Sequence, residues 1–417
     1  MDRFIIEGTR ELSGTIQVSG AKNAILPAMA ACLLAPGKSV LRNVPSLIDL
    51  KTMAHLLRVL GARVVYENGM MSIDSRDVLY NEAPYELVSK MRASIYVLGP
   101  LLARLGEARV SFPGGCAIGT RPVDLHLKAM EALGASIEIE HGYIHAKSGQ
   151  LTGADIHFEK SSVGATINAL MAAVLAKGTT RMFNAAMEPE VDSTIDLLNK
   201  MGARITGQGS TTLTIEGVDE LFPVEMPMIA DRIEAGTFLI AGALSTKPVT
   251  VANCQPEHLG ILLEKLRAAG CELDVQETSI TVVPPARIKP VDILTLPYPG
   301  FPTDLQAQFT VLMSLADGAC YIEDTVFPDR FMHVAELNRL QADIRMERNV
   351  AQVKGVKKLS SAEVMATDLR ASAALVLAGM VAEGTTSVSR IYHIDRGYDR
   401  IEEKLNGIGA HITRDNA

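Results

Sequence analysis

The sequence lacks a surplus of positive charge, a paired-cysteine motif and a long apolar run. Lys and Arg number 40 against 48 Asp and Glu, which gives a formal net charge of −8. A protein that binds nucleic acid through bulk charge needs the opposite balance, so we expect no nucleic-acid partner. Apolar runs such as residues 24–35 are too short to cross a bilayer, so we expect no membrane partner.

Cysteine and histidine usage excludes two further classes of site. The five cysteines are odd in number and show no Cys-x-x-Cys spacing. The opening residues also lack the apolar region of a signal peptide, and together these features predict reduced thiols in a cytoplasmic protein. His141 and His145 lie four residues apart but flank a predicted hairpin turn, and the nine histidines form no metal signature. We therefore expect no metal ion.

The 417-residue chain does contain an internal repeat. A Leu-Gly-Ala-like turn recurs six times at intervals of 68 to 73 residues, with its third position at residues 62, 135, 203, 271, 342 and 410. An apolar helix, a strand and a second helix precede each turn, and a strand pair follows it. The pattern predicts an α/β (α+β) fold of six repeats of about 70 residues, three in each of two domains.

The domain boundaries follow from the repeats. We expect one domain over residues 22–229 and a discontinuous second domain over 1–21 and 230–417, with the active site in the cleft between them. The chain passes from one domain to the other near Ser19–Ala21 and near Pro227–Ala230. A first strand within Phe4–Val18 would complete the last repeat by pairing with the C-terminal region.

The stretch from Phe112 to Pro122 differs from the rest of the chain, because three glycines and two prolines surround one cysteine and one arginine. This composition predicts a shaped, mobile loop that exposes Cys116. Thiol reactivity depends on access and on the thiolate fraction, which Arg121 would raise. The alternative is that Cys116 is a small residue in a turn.

Each repeat has one strongly apolar helix that begins with polar or charged residues. Helix capping accounts for Thr303, Thr367 and part of Ser161-Ser162. It accounts poorly for Lys22, Arg92 and Arg370, because a cation near a helix N-terminus opposes the helix dipole. Cations gathered with free backbone amides favour an anion site, and three such helix starts from each domain would suit a highly anionic substrate.

Several motifs closely resemble the UDP-N-acetylglucosamine 1-carboxyvinyltransferase family of enolpyruvyl transferases. The resemblance covers essentially the whole chain, and the motifs fall in the family's order. They are Ser19-Gly20-Ala21-Lys22-Asn23, Met91-Arg92-Ala93-Ser94, Pro113-Gly114-Gly115-Cys116, Gly119-Thr120-Arg121-Pro122-Val123-Asp124-Leu125-His126, Ser162-Val163-Gly164-Ala165-Thr166, Phe301-Pro302-Thr303-Asp304-Leu305-Gln306, Ala366-Thr367-Asp368-Leu369-Arg370 and His393-Ile394-Asp395-Arg396-Gly397-Tyr398.

The resemblance implies a fold and a reaction. The fold is a two-domain inside-out α/β barrel, shared with 5-enolpyruvylshikimate-3-phosphate synthase. Phosphoenolpyruvate would add to the 3-hydroxyl of UDP-N-acetylglucosamine to give a tetrahedral phospholactoyl ketal, and elimination would release inorganic phosphate. This is the first committed step of peptidoglycan precursor synthesis, and it needs no cofactor. Because the cations are split between both halves of the sequence, we also expect open and closed states of the two domains, with the nucleotide sugar bound first and the Phe112–Pro122 loop folding over it.

The resemblance also assigns roles to residues. Cys116 would donate a proton to the methylene carbon, could form a covalent adduct, and would be the target of fosfomycin. Asp304 would accept the proton of the sugar hydroxyl, and Asp368 would orient Arg370 or the intermediate. Phosphoenolpyruvate would be held by Lys22, Arg121 and Arg396, with Arg92 and Arg370 in the same cleft. The nucleotide sugar would contact Asn23, Arg121, Pro122, Val123, Asp124, Leu125, Lys160, Ser162, Val163, Gly164, Asp304 and Val326.

Two departures and three alternatives remain. Gln341 replaces the turn glycine in the fifth repeat, and Cys116 stands where some family members have aspartate, so this chain would be fosfomycin-sensitive. A shikimate-pathway transferase would share the fold but not the Cys116 loop. A catalytically silent nucleotide-sugar sensor would lack catalytic residues, and an RNA-end-processing enzyme would want a basic groove. We expect a monomer or a weak homo-oligomer.

Overall fold

The computed structural model describes residues 2–112 and 123–415 of the chain. The predicted site residues Cys116, Arg121 and Pro122 lie outside the described residues. Within the described residues the chain divides into two compact units. We call residues 20–112 and 123–229 the central unit, and residues 2–19 and 230–415 the terminal unit.

The described residues form six repeats in which helices are separated by single strands or by groups of strands. The strands are β1 (Arg3–Glu7), β2 (Gly14–Gln17), β3 (Lys38–Arg42), β4 (Arg63–Glu67), β5 (Met70–Asp74), β6 (Glu82–Ala83), β7 (Glu107–Ser111), β8 (Ser136–Glu140), β9 (Tyr143–Lys147), β10 (Asp155–His157), β11 (Thr179–Phe183), β12 (Arg204–Thr206), β13 (Thr212–Glu216), β14 (Glu225–Pro227), β15 (Val249–Ala252), β16 (Glu272–Val275), β17 (Ser279–Val283), β18 (Ile293–Thr295), β19 (Ala319–Asp324), β20 (Asp343–Glu347), β21 (Val350–Lys354), β22 (Leu359–Ser360), β23 (Glu363–Met365), β24 (Ala382–Glu383), β25 (Thr385–Ser389) and β26 (His411–Asp415).

The helices are α1 (Lys22–Ala31), α2 (Ile48–Val59), α3 (Tyr85–Val88), α4 (Leu98–Leu105), α5 (Asp124–Ala132), α6 (Val163–Ala173), α7 (Pro189–Lys200), α8 (Arg232–Leu244), α9 (Gly260–Ala268), α10 (Gln306–Met313), α11 (Met332–Arg339), α12 (Leu369–Val381) and α13 (Ile401–Asn406). Short 3₁₀ segments cover Cys32–Leu34, Arg92–Val97, Pro256–Leu259, Thr303–Leu305 and Ile391–Arg396.

Each repeat contributes one four-stranded sheet with the same strand order. In the second repeat the order is β6-β7-β9-β8, with β6 parallel to β7 and an antiparallel β8–β9 hairpin. The short parallel strand that precedes each core helix has two to four residues, and the sequence pattern did not predict it. In the described part of the chain these six sheets and a two-stranded sheet of β22 and β24 are separate, and they do not join by hydrogen bonds into one closed barrel.

The chain ends complete two sheets of the terminal unit. β1 lies between β25 and β26, as expected for a first strand that pairs with the C-terminal region. The predicted single strand is in fact two strands, because β2 pairs with β15 of the fourth repeat. Gly14, with a φ of 116°, begins this second strand. In the central unit β14 returns in the same way to pair with β3.

The most apolar helices form the interior of each unit. Every residue of α10 is buried, and so is every residue of α12 except Leu369. Close packing leaves no room for larger side chains here, since a Cβ on Gly236 of α8 would stand 2.5 Å from a methyl carbon of Leu305. Helices therefore lie inside each unit and the sheets cover them, as the inside-out description implies.

The turn after the second helix of each repeat requires a left-handed residue. Glycine fills it five times, for example at Gly134 and Gly202, with φ values of 93° and 105°. Gln341 adopts the same region with a φ of 66° in the fifth repeat. The side chain of Gln341 accepts a hydrogen bond from Ser360 at 3.0 Å, which offsets part of that strain. Across the described ranges no helix has both the length and the apolar composition to span a membrane.

Candidate active site

In the central unit, Lys22 is the first residue of α1. The preceding residue Ala21 offers no side-chain cap, so the cation stands directly at an uncapped helix start. Lys22 is only 8% exposed, and its Nζ lies 3.2 Å from Oδ2 of Asp49 in the first turn of α2. This buried carboxylate stabilises an ammonium group that the helix dipole opposes. Asn23 follows Lys22 and is half-buried.

Arg92 repeats this arrangement in the second repeat. It begins the 3₁₀ segment that leads into α4, and its N-cap residue Met91 makes no side-chain hydrogen bond. Its charge also acts on a neighbour, because the pKa of His126 is lowered to about 3 first by burial and second by Arg92. The central unit thus places two cations at helix starts without a capping side chain.

The third helix start of the central unit is partly capped. The Ser162 hydroxyl accepts a hydrogen bond from the Ala165 backbone N–H at 3.3 Å. Val163 and Gly164 form the first turn of α6, where backbone N–H groups lack helical partners. Lys160 just before it is exposed. At the start of α5, Val123 is buried, Asp124 is exposed and Leu125 is half-buried.

The terminal unit begins two of its core helices with aspartates that act as caps. Asp231 accepts hydrogen bonds from the backbone N–H groups of Ile233 and Glu234, at 2.9 and 3.0 Å. Asp368 accepts from the backbone N–H groups of Arg370 and Ala371, at 2.8 and 3.1 Å. Asp368 therefore holds the backbone of Arg370 and fixes the position of the Arg370 Cα atom.

Asp304 lies between two buried arginines. Its Oδ1 is 2.6 Å from Nη1 of Arg330, and its Oδ2 is 3.2 Å from Nη2 of Arg370. The arginine side chains are 6% and 3% exposed, whereas that of Asp304 is 26% exposed. Burial acts to lower the pKa of Arg370, but the nearby Asp304 carboxylate outweighs it and the pKa is raised. The carboxylate is thus fixed in place with one edge open to a ligand.

Arg330 was not among the predicted residues, and neither was Asp49. Each acts through a residue that is distant in sequence, so no local motif marks it. Arg330 also donates a hydrogen bond to the Thr303 hydroxyl at 3.2 Å, and Thr303 in turn donates to Asp324 at 2.6 Å.

The remaining predicted residues are also in the terminal unit. The Val326 backbone N–H donates to Asp324 at 3.0 Å, which leaves its carbonyl oxygen for any backbone contact with a ligand. Arg396 ends the 3₁₀ segment Ile391–Arg396 and is half-buried. Burial, and then Arg396, lower the pKa of the adjacent His393. Among the described residues no three His, Cys, Asp or Glu side chains form a metal-binding group.

Known proteins match this chain over nearly its whole length. The family described as EPSP synthase (3-phosphoshikimate 1-carboxyvinyltransferase) matches residues 6–405. A UDP-N-acetylglucosamine 1-carboxyvinyltransferase from Desulfosudis oleivorans is 55% identical, with 99% of each chain covered. One from Myxococcus xanthus is 52% identical, with 100% of each chain covered. The chain belongs to this family of enolpyruvyl transferases.

Solved structures support the same fold. The enolpyruvyl transferase NikO from Streptomyces tendae superposes with a TM-score of 0.91 at 26% identity, covering 100% of this chain and 99% of that one. An EPSP synthase from Acinetobacter baumannii gives a TM-score of 0.79 at 17% identity and covers both chains completely. The predicted fold class is therefore confirmed.

Proposed function

We propose that this chain transfers the enolpyruvyl group of phosphoenolpyruvate to the 3-hydroxyl of UDP-N-acetylglucosamine and releases inorganic phosphate, the first committed step of peptidoglycan precursor synthesis. The observation that carries the proposal is the full-length identity of 52 to 55% with relatives of that name. The chemistry of the helix starts supports it, because both substrates are anions and the central unit offers Lys22 and Arg92 at uncapped starts.

Asp304 acts as the general base in this proposal. Arg330 and Arg370 hold the carboxylate by two different oxygens, so it keeps one orientation towards the acceptor hydroxyl. The hydroxyl oxygen forms a bond to C2 of phosphoenolpyruvate while Asp304 takes its proton. Cys116 delivers a proton to the methylene carbon, which becomes a methyl group in the tetrahedral intermediate. Loss of a methyl proton and of phosphate then gives the enolpyruvyl ether.

The remaining predicted residues bind substrate. Lys22, Arg121 and Arg396 hold phosphoenolpyruvate, and the first turn of α6 with the start of α5 holds the nucleotide sugar. Cations that stay fixed while charge moves from one oxygen to another stabilise the transition state without reorganising. Residues of both units act on the same substrates in this proposal. The protein would work in the cytoplasm as a monomer or weak homo-oligomer, and fosfomycin would inactivate it through Cys116.

The test is acceptor-dependent phosphate release. Phosphoenolpyruvate is incubated with the protein and either UDP-N-acetylglucosamine or shikimate 3-phosphate, with the wild type beside Cys116→Ser. Phosphate release with the nucleotide sugar alone, and its loss in the variant, is the expected result. Release with shikimate 3-phosphate alone would assign the shikimate reaction instead, and no release with either acceptor would leave a nucleotide-sugar-binding protein.

A further inference from the structure

The segment that carries Arg396 is attached to the last strand of the terminal unit by an ion pair. Arg414 of β26 donates two hydrogen bonds to Asp395, from Nη2 to Oδ1 at 2.6 Å and from Nη1 to Oδ2 at 3.0 Å. Asp395 directly precedes Arg396 in the 3₁₀ segment Ile391–Arg396. A bidentate arginine–carboxylate pair fixes orientation as well as distance, so the residue before Arg396 is held in one geometry.

Arg414 is itself held in place by its surroundings. Its Nε donates a hydrogen bond to Oε1 of Glu402 in α13 at 2.8 Å. Its guanidinium carbon lies 5.0 Å from the centre of the buried Phe4 ring, which pairs with it across β1 and β26. The hydrogen bonds to Asp395 raise the pKa of Arg414, although burial acts in the opposite direction. An arginine that is paired and stacked in this way is a rigid point of attachment for Asp395.

The backbone is held again directly after Arg396. A Cβ added to Gly397 would stand 2.6 Å from a methyl carbon of Leu369, so the chain packs closely against the start of α12. The buried Tyr398 hydroxyl lies 2.8 Å from Oγ1 of Thr237 in α8. The Thr237 hydroxyl already donates to a carbonyl oxygen of its own helix, so the Tyr398 hydroxyl is the donor of this bond. Arg396 therefore lies between two fixed points, and Arg414 provides the first of them.

We propose that Arg414 is a positioning residue, which acts through Asp395 to hold Arg396 in the orientation that binds phosphoenolpyruvate. The inference rests on the proposed function, in which Arg396 is one of the cations that hold this substrate. A half-buried arginine whose backbone could move would have to be ordered when the substrate binds, and that ordering costs free energy. The attachment of Asp395 to Arg414 removes this cost before the substrate arrives.

The first test compares the two carboxylates that Arg414 binds. Asp395→Asn and Glu402→Gln each remove one ion pair of the same arginine, but only Asp395 lies beside Arg396. We expect KM for phosphoenolpyruvate to rise about 5-fold in Asp395→Asn and to change less than about twofold in Glu402→Gln. The Glu402 side chain is the more buried, at 12% against 27% exposed, so a purely structural role predicts the larger effect in Glu402→Gln. Equal KM values in the two variants would overturn the inference.

The second test asks whether Arg414 acts through Arg396. Arg414→Met should raise KM for phosphoenolpyruvate about 10-fold and KM for UDP-N-acetylglucosamine less than about twofold. Arg414→Lys should recover only part of the loss, because an ammonium group lacks the planar fork that binds both carboxylate oxygens. In an Arg396→Met background, Arg414→Met should add less than about twofold, because the group that it positions is already absent. The full 10-fold rise in that background would contradict the proposed route.

A surface ion pair of the same two strands is the control. Arg3 of β1 lies 2.8 Å from Asp415, the neighbour of Arg414 in β26, and both side chains are more exposed than that of Arg414. Arg3→Met should leave both KM values unchanged. If urea unfolding shows that Arg414→Met does not fold, the comparison of Asp395→Asn with Glu402→Gln still decides the inference. Absent phosphate release by the wild type would instead refute the proposed function, whatever the variants do.

Discussion

Two core-helix starts in each unit differ in how they are capped. In the terminal unit Asp231 and Asp368 accept the first backbone N–H groups of α8 and α12. In the central unit α1 and the segment before α4 have no capping side chain and begin with Lys22 and Arg92. Capped starts already have their acceptor, whereas uncapped starts with cations remain available to an external anion.

The two units also differ in the charge of the group that each presents. The central unit supplies a cation backed by a buried carboxylate, Lys22 with Asp49. The terminal unit supplies the reverse, the Asp304 carboxylate backed by two buried arginines. The same repeat architecture thus supports anion binding in one unit and a fixed carboxylate in the other. Substitutions in the Asp304 cluster of the terminal unit should therefore lower the catalytic rate, whereas substitutions in the Lys22–Asp49 pair of the central unit should weaken substrate binding.

Removing Arg330 should have the largest effect. In Arg330→Met, Asp304 loses the arginine that holds its Oδ1, so its orientation towards the acceptor is no longer fixed from both sides. We expect kcat to fall about 10–100-fold, and stability to fall by about 1–3 kcal/mol because a mostly buried pair is broken. Steady-state phosphate release and urea unfolding measure the two effects.

A surface pair of the same unit is the control for Arg330. Arg287 lies 3.3 Å from Asp317, and both side chains are mostly exposed. Arg287→Met should leave rate and stability unchanged. A kcat for Arg330→Met within twofold of the wild type would mean that the contact with Asp304 has no catalytic role.

Neutralising Asp49 should act on binding in the central unit. Asp49→Asn keeps the shape but removes the charge that backs Lys22, so the ammonium group loses its fixed position. We expect KM for phosphoenolpyruvate to rise about 10-fold, with a smaller change for the nucleotide sugar. The exposed Glu159, paired with Lys128, provides the control Glu159→Gln. Equal changes for both substrates would argue against a specific role in holding phosphoenolpyruvate.

Acid should destabilise both units through one buried histidine in each. Burial lowers the pKa of His126 to about 3 and that of His333 to about 4, against about 6.5 in the unfolded chain. The unfolded state binds these protons at a higher pH than the folded state does, so the full contribution to stability is present above pH 6.5. This contribution is lost as the pH falls towards the pKa values of the folded state. Each histidine should add up to about 1.4 kcal/mol per pH unit to the slope.

Urea unfolding at pH 7, 6 and 5 measures that slope. His333→Asn should flatten the decline relative to the wild type, whereas the exposed-site variant His55→Asn should not. Identical slopes for all three proteins would show that the buried His333 ring does not contribute to the acid sensitivity.

The smallest expected effect is at the irregular turn. Gln341→Gly removes a side chain from a left-handed position but also its hydrogen bond with Ser360, so we expect a gain of about 0.5 kcal/mol. The reverse change at an equivalent turn, Gly202→Gln, should cost about 1 kcal/mol or more, because φ there is 105°. Thermal unfolding compares them, and equal midpoints would contradict the strain assigned to this turn.

The repeat architecture could be predicted from the sequence because each turn glycine and each apolar helix follows from local chemistry. Lys22, Arg92 and Asp304 could be singled out because they stand at helix starts within motifs. Asp49, Arg330 and the Arg414–Asp395 pair could not, since each contact joins residues that are 19 to 27 positions apart in sequence. The short strands such as β6 were missed because two residues carry no periodicity. The roles assigned to Cys116 and Arg121 in the cysteine loop stay predictions.

The measurement that tests the account most directly is single-turnover phosphate release by Asp304→Asn at saturating substrate. The amide keeps the size of the carboxylate but cannot take the hydroxyl proton. The account predicts a rate at least 100-fold below the wild type, while calorimetry still detects UDP-N-acetylglucosamine binding within about tenfold of the wild-type affinity. Phosphate release at the wild-type rate would contradict it, because another group would then have to accept the proton.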